Sequence, residues 1–318
     1  MIKLLSATQN HRPIFVVMAV FTGAILSTLF VRMFSISLAD LRGVFGLDVA
    51  QGSWLNVALN IAQLISMTLV PWFMVVYGAE KILISASFIL FCCGLAVPII
   101  GQQIGFGGLF IAHFMIGFCI GVYLPMTISL ALKSLNPSVW LIVMAAYSLR
   151  VSVGMDAGVG ISGEFVDILN WRWIYWLSAI FTLVILFFTW WGMPLSPINK
   201  SLLAQSDWGG MALKCLGLTL LYIGVVQGEL LGWWDSGLVV SCLIGSAILM
   251  GTFIIRAYIY KQSFGHLNWI KDSNLRLCFI IACLYGFLML PNSLFIPSFL
   301  SVVGGLKPLQ IGQVTNLE

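Results

Sequence analysis

The sequence predicts an all-α, polytopic membrane protein, a helical bundle of about nine spans. Long apolar runs recur between Pro13 and Val303, separated by short polar breaks, and about 20 apolar residues cross a bilayer as one helix. Hydrophobic residues make up 60% of the chain and charged residues only 8%, whereas a soluble domain carries roughly 25% charge. The runs are too long and too uniform for strands of a transmembrane barrel, which alternate in polarity over about ten residues, so the spans are helices.

The spans follow one another closely at first and are then interrupted by longer polar stretches. They cover residues 14–38, 53–76, 82–101, 106–132, 138–163, 172–193, 210–228, 236–257 and 276–303. The first span is too long for a signal sequence and lacks a small-residue cleavage site, so it is retained. Tryptophans near the span ends support these boundaries, because indole rings prefer the membrane interface.

The polar stretches at 196–208 and 256–274 divide the chain into three parts. We expect a six-span N-terminal bundle at 1–195, two linking spans at 196–260, and a cytoplasmic loop with the start of a second, truncated bundle at 261–318. Most of the fifteen Lys and Arg residues fall on the same side as the N-terminus, and cytoplasmic loops carry this excess. The N-terminus is therefore expected in the cytoplasm, with the protein in the bacterial cytoplasmic (inner) membrane.

The net charge of +4 reflects these basic loops, so nucleic acid is not an expected partner. All seven cysteines lie in apolar runs without a metal-binding spacing, and they suit a role as small apolar filler. The chain also lacks an HExxH motif, a phosphate-binding glycine loop and a nucleophile elbow. We therefore expect no metal, no cofactor and no enzymatic activity.

Two arginines fall inside predicted spans. Arg32 lies in the outer part of the first span and Arg150 near the middle of the fifth. An arginine at the bilayer centre costs at least about 2.5 kcal/mol, so it persists where it faces a partner or a water-filled cavity. For Arg32 the alternative is that its long side chain extends to the outer surface. We expect both arginines to line a substrate cavity.

The second span carries polar side chains on one helical face, at spacings of three and four residues. They are Ser53, Asn56, Asn60 and Gln63. Facing lipid, this row would be costly, so it faces other helices or water. We expect its three amides to line the cavity, and hydrogen bonding between helices is the alternative.

Two titratable residues are candidates for proton coupling. Asp156 lies in the fifth span, six residues from Arg150 and off its helical face, so we expect it to reach Arg32. A carboxylate beside an arginine can carry a proton when burial offsets the charge; a fixed ion pair is the alternative. His113 in the fourth span is the second candidate, because histidine titrates near neutral pH, although a lone histidine often only packs.

Small residues recur every four positions in the fifth span, at Gly154, Gly158 and Ser162, with Gly163 beside them. A row of this kind lets two helices approach closely. We therefore predict a helix-packing motif here, at an interface that moves during transport.

Short motifs near the span ends carry a family resemblance. They are LADLRG at 38–43, GFCIG at 117–121 followed by Pro125, the glycine-rich stretch at 154–163, NWRWIY at 170–175, DWGG at 207–210 and QGELLGW at 227–233. Together they resemble the major facilitator superfamily, in its 14-span drug:proton antiporter branch of multidrug-efflux type. The resemblance implies two six-span bundles around a central cavity, joined by two linking spans, of which this chain supplies the N-terminal portion.

The chain departs from that branch at three intramembrane positions. His113 stands where the branch has a fourth-span arginine linked to proton coupling. Phe30 stands where an acid is often found in the first span. The fifth-span motif lacks its prolines and contains Asp156.

These observations predict a secondary active transporter that exports small molecules by alternating access, coupled to protons. Two membrane arginines favour an anionic or amphipathic substrate. The other expected partners are protons and the lipid bilayer. The alternatives are a non-transporting truncated fragment or a membrane scaffold protein, and an intramembrane enzyme is a weaker third.

Overall fold

A computed structural model of the chain describes residues 12–193, 196–204, 206–259, 272–290, 299–300, 303–306, 310 and 314, without the side chains of residues 152, 155, 156, 167, 289 and 290. Within this part of the chain the regular structure is entirely helical, which confirms the predicted fold class. The helices are α1 (Pro13–Ile36), α2 (Leu38–Phe45), α3 (Val49–Tyr77), α4 (Ala79–Ile100), α5 (Gly105–Ser134), α6 (Trp140–Gly163), α7 (Trp173–Gly192), α8 (Lys200–Ala204), α9 (Trp208–Leu231), α10 (Gly237–Ile259) and α11 (Ser273–Leu290).

The long helices follow the predicted spans. In the described part of the chain, seven helices are long and apolar enough to cross a membrane, namely α1, α3, α4, α5, α7, α9 and α10. Helices α6 and α11, of 24 and 18 residues, coincide with the fifth and ninth predicted spans. The ninth span was predicted over 276–303, and its parts at 291–298 and 301–302 lie outside the described residues, as does most of the predicted loop before it.

The chain forms two compact units, Met1–Lys200 and Ser201–Glu318. In the first unit α1 is central and packs against α5, α6 and α7, while α3 packs against α5, and α4 packs against α5 and α7. Its core includes the fully buried aromatic side chains of Phe30, Phe34 and Tyr175.

In the second unit α9 and α10 form a hairpin. Asp207 begins α9 by accepting a hydrogen bond from the Gly210 N–H at 2.9 Å. The same carboxylate pairs with Arg256 of α10, with 2.8 Å between Nη2 and Oδ1. One aspartate therefore fixes both the start of α9 and its alignment with α10.

The turn into α3 is encoded locally. Gly46 ends α2 with φ of 65°, a left-handed conformation that glycine adopts without strain. Asp48 then accepts a hydrogen bond from the Gln51 N–H at 2.7 Å, and the Gln51 side chain accepts one from the Asp48 N–H at 3.2 Å. This reciprocal cap satisfies two N–H groups at the start of the helix.

Two glycines of the GFCIG motif let α5 cross α3 at backbone contact. A Cβ added at Gly121 would lie 2.6 Å from the carbonyl oxygen of Gln63, and one added at Gly117 would overlap the carbonyl of Leu59. Helices approach this closely only where the side chain is a hydrogen atom. The motif therefore fixes the position of α3, including the end of its polar row at Gln63.

A small clamp, formed by Glu80 and Lys81, holds the segment that follows α7. The carboxylate of Glu80 accepts hydrogen bonds from the Ser196 N–H and, at 3.3 Å, from its hydroxyl. Lys81 Nζ donates to the Ser196 carbonyl at 2.7 Å, and the Asn199 N–H donates to Val76 O at 2.8 Å. Glu80 is only 3% exposed, so this carboxylate depends on the hydrogen bonds that Ser196 donates.

We expect Glu80→Ala to lower the free energy of unfolding of the purified chain by about 1–3 kcal/mol, because the N–H of Ser196 loses its acceptor in a buried site. Denaturant unfolding in detergent, followed by tryptophan fluorescence, measures this change. Glu164→Gln is the control, since Glu164 is exposed and its replacement should have little effect. Equal stabilities for the Glu80 and Glu164 variants would show that the clamp contributes nothing.

Candidate functional site

A polar cavity of about 250 Å³ lies inside the first unit, between α1, α3, α5 and α6. Its walls combine two arginines, three hydroxyls and one amide with two aliphatic side chains. They are Ser27, Thr28, Val31, Arg32, Ser35, Gln63, Leu124 and Arg150. The structure brings three of the five residues predicted for a substrate cavity together at this concavity, namely Arg32, Gln63 and Arg150. That the cavity binds a substrate stays a prediction.

Arg150 enters this cavity from α6. Its Nη1 donates a hydrogen bond to the Thr28 hydroxyl of α1 at 2.7 Å, and its Cζ lies 4.3 Å from the ring centroid of Tyr147. The Thr28 hydroxyl in turn donates to the Ala24 carbonyl at 3.1 Å. The Nε atom of Arg150 is buried, and no described residue accepts its hydrogen bond. A buried guanidinium N–H in this state favours an anion or ordered water as its partner.

Arg32 lines the same cavity from α1, and the small residues of α6 determine how closely it approaches. A Cβ added at Gly158 would lie 3.0 Å from Arg32 Cγ, and one added at Gly154 would lie 2.6 Å from the Cγ2 atom of Thr28. The predicted packing row therefore contacts α1 at the cavity wall itself. Ser162, further along the row, is buried and donates to the Val159 carbonyl at 2.9 Å; Gly163 is buried as well.

The polar row of α3 divides into two parts. Gln63 lines the cavity, and its Nε2 lies 3.4 Å from the Ser27 hydroxyl as a hydrogen-bond donor. Asn60 instead donates to the backbone carbonyl and the side-chain oxygen of Asn56, at 2.8 Å and 2.9 Å. Both asparagines are partly buried and lie outside the set of residues that line the cavity.

His113 is fully buried between α5 and α7, away from the cavity. Its Nδ1 lies 2.7 Å from the Leu109 carbonyl and its Nε2 lies 2.9 Å from the Tyr175 hydroxyl. Since a carbonyl only accepts hydrogen bonds, Nδ1 carries a proton, and in neutral histidine Tyr175 donates to Nε2. The ring of Phe34 covers one side, with centroids 4.8 Å apart. These contacts place His113 among packed core side chains.

The predicted role of Asp156 stays a prediction, because its side chain lies outside the described residues. Its backbone belongs to α6, six residues after Arg150. No group of three His, Cys, Asp or Glu side chains that would suit a metal ion occurs in the part of the chain that the structure describes.

Sequence reasoning missed the hydroxyl side of the cavity. Thr28 and Ser35 share the helical face of Arg32, at spacings of four and three residues, and Ser27 adjoins them. Tyr147 precedes Arg150 by three residues and so lies on the same face of α6. The spacing of hydroxyls around Arg32 was the available signal, but Ser and Thr are too common in membrane helices to stand out.

The fold and this cavity define an all-helical integral membrane protein with a polar cavity, lined by two arginines, between its helices. Comparison with known families gives the same answer, since the Major Facilitator Superfamily matches residues 20–315. The chain belongs to this superfamily, which consists of transporters rather than enzymes. The resemblance drawn from the motifs is thereby confirmed.

Two of the similar proteins come from bacteria. The chain is 21% identical over 244 residues to the fatty acid resistance protein FarB of Neisseria gonorrhoeae, covering 76% of this chain and 46% of that protein. It is 21% identical over 254 residues to the multidrug export protein EmrB of Escherichia coli, covering 79% and 47%. The chain thus spans about half the length of the curated relatives it matches.

A solved structure, that of an auto-inhibited POT family peptide transporter, shares the fold. The TM-score is 0.52 at 16% identity, and the match covers 90% of this chain and 61% of that one. At this level of identity the likeness concerns the arrangement of helices alone.

Proposed function

We propose that the protein is a secondary active transporter that exports anionic or amphipathic small molecules in exchange for protons. The observation that carries this proposal is Arg150, whose buried Nε points to a missing acceptor in a polar cavity within the membrane. A fixed structural arginine would have its donors satisfied by the protein. An arginine that binds a transported anion must instead keep donors available to it.

The composition of the cavity supports an amphipathic anion. Arg32 and Arg150 supply positive charge, the hydroxyls and Gln63 supply hydrogen bonds, and Val31 and Leu124 supply apolar contact. A carboxylate or sulfonate with a hydrophobic body meets each of these groups. The names of the similar proteins, a fatty acid resistance protein and multidrug export proteins, agree with export of this class of compound.

Alternating access in this superfamily uses two bundles around one site. In this proposal the first unit provides one wall of that site, through α1, α3, α5 and α6. The N-terminus lies in the cytoplasm, as the distribution of Lys and Arg predicts, and the membrane is the bacterial cytoplasmic (inner) membrane. Asp156 carries the proton, and His113 is the second candidate.

Proton-driven uptake into inverted membrane vesicles tests this function. The complete product of the gene that encodes this chain should accumulate a medium-chain carboxylate when the vesicle interior is acidified, and release protons as it does so. We expect Asp156→Asn to abolish proton-driven uptake, because an amide cannot carry the proton, while exchange of labelled for unlabelled substrate continues. Absence of proton-driven uptake by the unaltered protein would contradict the proposal.

The matched control is Glu164→Gln, which removes an exposed acidic group eight residues further along the chain. It should leave both proton-driven uptake and exchange unchanged. If Asp156→Asn also transports normally, Asp156 does not carry the proton, and His113→Gln is the next variant to measure.

A further inference from the structure

A second concave site lies on the outer surface of the first unit, between α4 and α7. It is an apolar groove of about 310 Å³, separate from the polar cavity. Its lining residues are Phe91, Leu95, Trp173, Trp176, Ala179, Ile180 and Leu183. Leu95, Ile180 and Leu183 are 38%, 49% and 51% exposed. An open groove of this composition on a membrane helix pair accepts a hydrocarbon chain.

A cation adjoins one end of the groove in the sequence. Arg172 immediately precedes Trp173, and its Nε donates to the Pro98 carbonyl at 3.2 Å, three residues beyond Leu95 on α4. A guanidinium has five N–H donors. Within the described part of the chain, no residue accepts a hydrogen bond from the Nη atoms of Arg172. The contact with Pro98 therefore holds the guanidinium of this residue, which precedes Trp173, against α4, while leaving donors for another group.

Aromatic rings indicate that this end of the groove lies at the membrane interface. Trp171 lies beside the Arg172 guanidinium, 5.5 Å from Cζ to ring centroid, and the rings of Trp173 and Trp176 pack edge to face at 5.6 Å. Indole rings concentrate at the level of lipid head groups. The groove thus begins at head-group depth beside a positive charge and continues along the apolar faces of α4 and α7.

We propose that this groove binds an anionic phospholipid, with an acyl chain against Trp173 and Trp176 and the phosphate at Arg172. The charge of Arg172 favours this occupant over a zwitterionic lipid, because the ammonium group of a zwitterionic head group offsets the attraction between phosphate and guanidinium, and an anionic lipid has no such cation. The cation and the apolar groove together match the two chemically distinct parts of one lipid. This proposal does not depend on transport activity.

Tryptophan quenching by brominated lipids tests the proposal in the full chain. The chain is reconstituted with dibrominated phosphatidylglycerol or dibrominated phosphatidylcholine, whose bromine atoms quench tryptophans that the acyl chains contact. The difference between the unaltered chain and the Trp173→Phe/Trp176→Phe variant isolates the two groove tryptophans. The dependence of this quenching on lipid composition gives the affinity of each lipid for the groove. We expect the affinity for phosphatidylglycerol to be at least about threefold higher than that for phosphatidylcholine.

Arg172→Gln should reduce the two affinities to equality. Arg42→Gln is the matched control, because Arg42 lies in α2, whose Phe45 ring contacts that of Trp171, but the Arg42 side chain packs against Gly52 rather than at the groove; it should keep the preference. Equal affinities in the unaltered chain, or an equal loss in both arginine variants, would mean that lipid only surrounds the protein without a site. Absence of quenching by either lipid would show that protein covers the groove, which also overturns the proposal.

Discussion

Replacing Arg150 by glutamine is expected to lower the affinity for an amphipathic carboxylate by about tenfold to one hundredfold. A hydrogen bond to a charged group contributes about 1.5–3 kcal/mol, and about 1.4 kcal/mol corresponds to a factor of ten. Arg150 donates to the Thr28 hydroxyl at 2.7 Å. The amide of glutamine is also a hydrogen-bond donor, so this contact between helices can be replaced in the variant. Isothermal titration calorimetry of the complete gene product, with a medium-chain carboxylate and with its neutral amide, measures the change in affinity.

The neutral amide makes this test specific. Its affinity should change little in Arg150→Gln, because it lacks the charge that the guanidinium recognises. Arg150→Lys should retain part of the preference for the carboxylate, and Arg276→Gln, at an exposed position, should retain all of it. Equal losses for carboxylate and amide would indicate a disturbed cavity rather than a lost charge, and unchanged binding of both would rule out Arg150 as a ligand-binding residue.

Adding one methyl group at Gly117 is expected to destabilise the first unit. The new Cβ of Gly117→Ala would overlap the carbonyl of Leu59 in α3, and a helix backbone cannot move aside as a flexible side chain can. Overpacking of this kind costs about 1–3 kcal/mol. Thermal unfolding of the purified chain in detergent should show a clearly lower midpoint temperature.

Gly107→Ala provides the control within the same helix. Gly107 also lies in α5, and a Cβ added there would meet nothing within 4 Å. This variant should match or slightly exceed the stability of the unaltered chain, because alanine favours the helix more than glycine does. A Gly117→Ala variant as stable as Gly107→Ala would contradict the close crossing of α3 and α5.

The fold was predictable because membrane spans are a property of composition over about 20 residues, which a single sequence displays directly. Arg32, Gln63 and Arg150 were also predictable as cavity residues, since polar groups in a membrane avoid lipid for a general physical reason. Asn56 and Asn60 lie on the same face as Gln63, yet they lie outside the cavity lining. The depth at which a cavity closes depends on the neighbouring helices. The spacing of polar residues within one helix therefore does not predict that depth.

Contacts between distant positions were beyond the reach of spacing rules. Glu80 and Ser196 are 116 residues apart, and the sequence around neither residue predicts their contact. Thr28 of α1 belongs to the site because Arg150 of α6 donates a hydrogen bond to it, and this contact between helices has no counterpart in the spacing of residues along the chain. His113 could be identified as an unusual residue, but its pairing with Tyr175 follows from how α5 and α7 pack.

The approach of Gly158 to Arg32 has an evolutionary consequence. In the proposed transporter the charge that meets the substrate lies on one helix, while a glycine on another helix limits how closely that charge approaches. A mutation at position 158 can therefore alter which molecules fit without touching any group that binds them. Homologous pumps could diverge in the compounds they tolerate through the bulk of one side chain, with every ionic residue left intact.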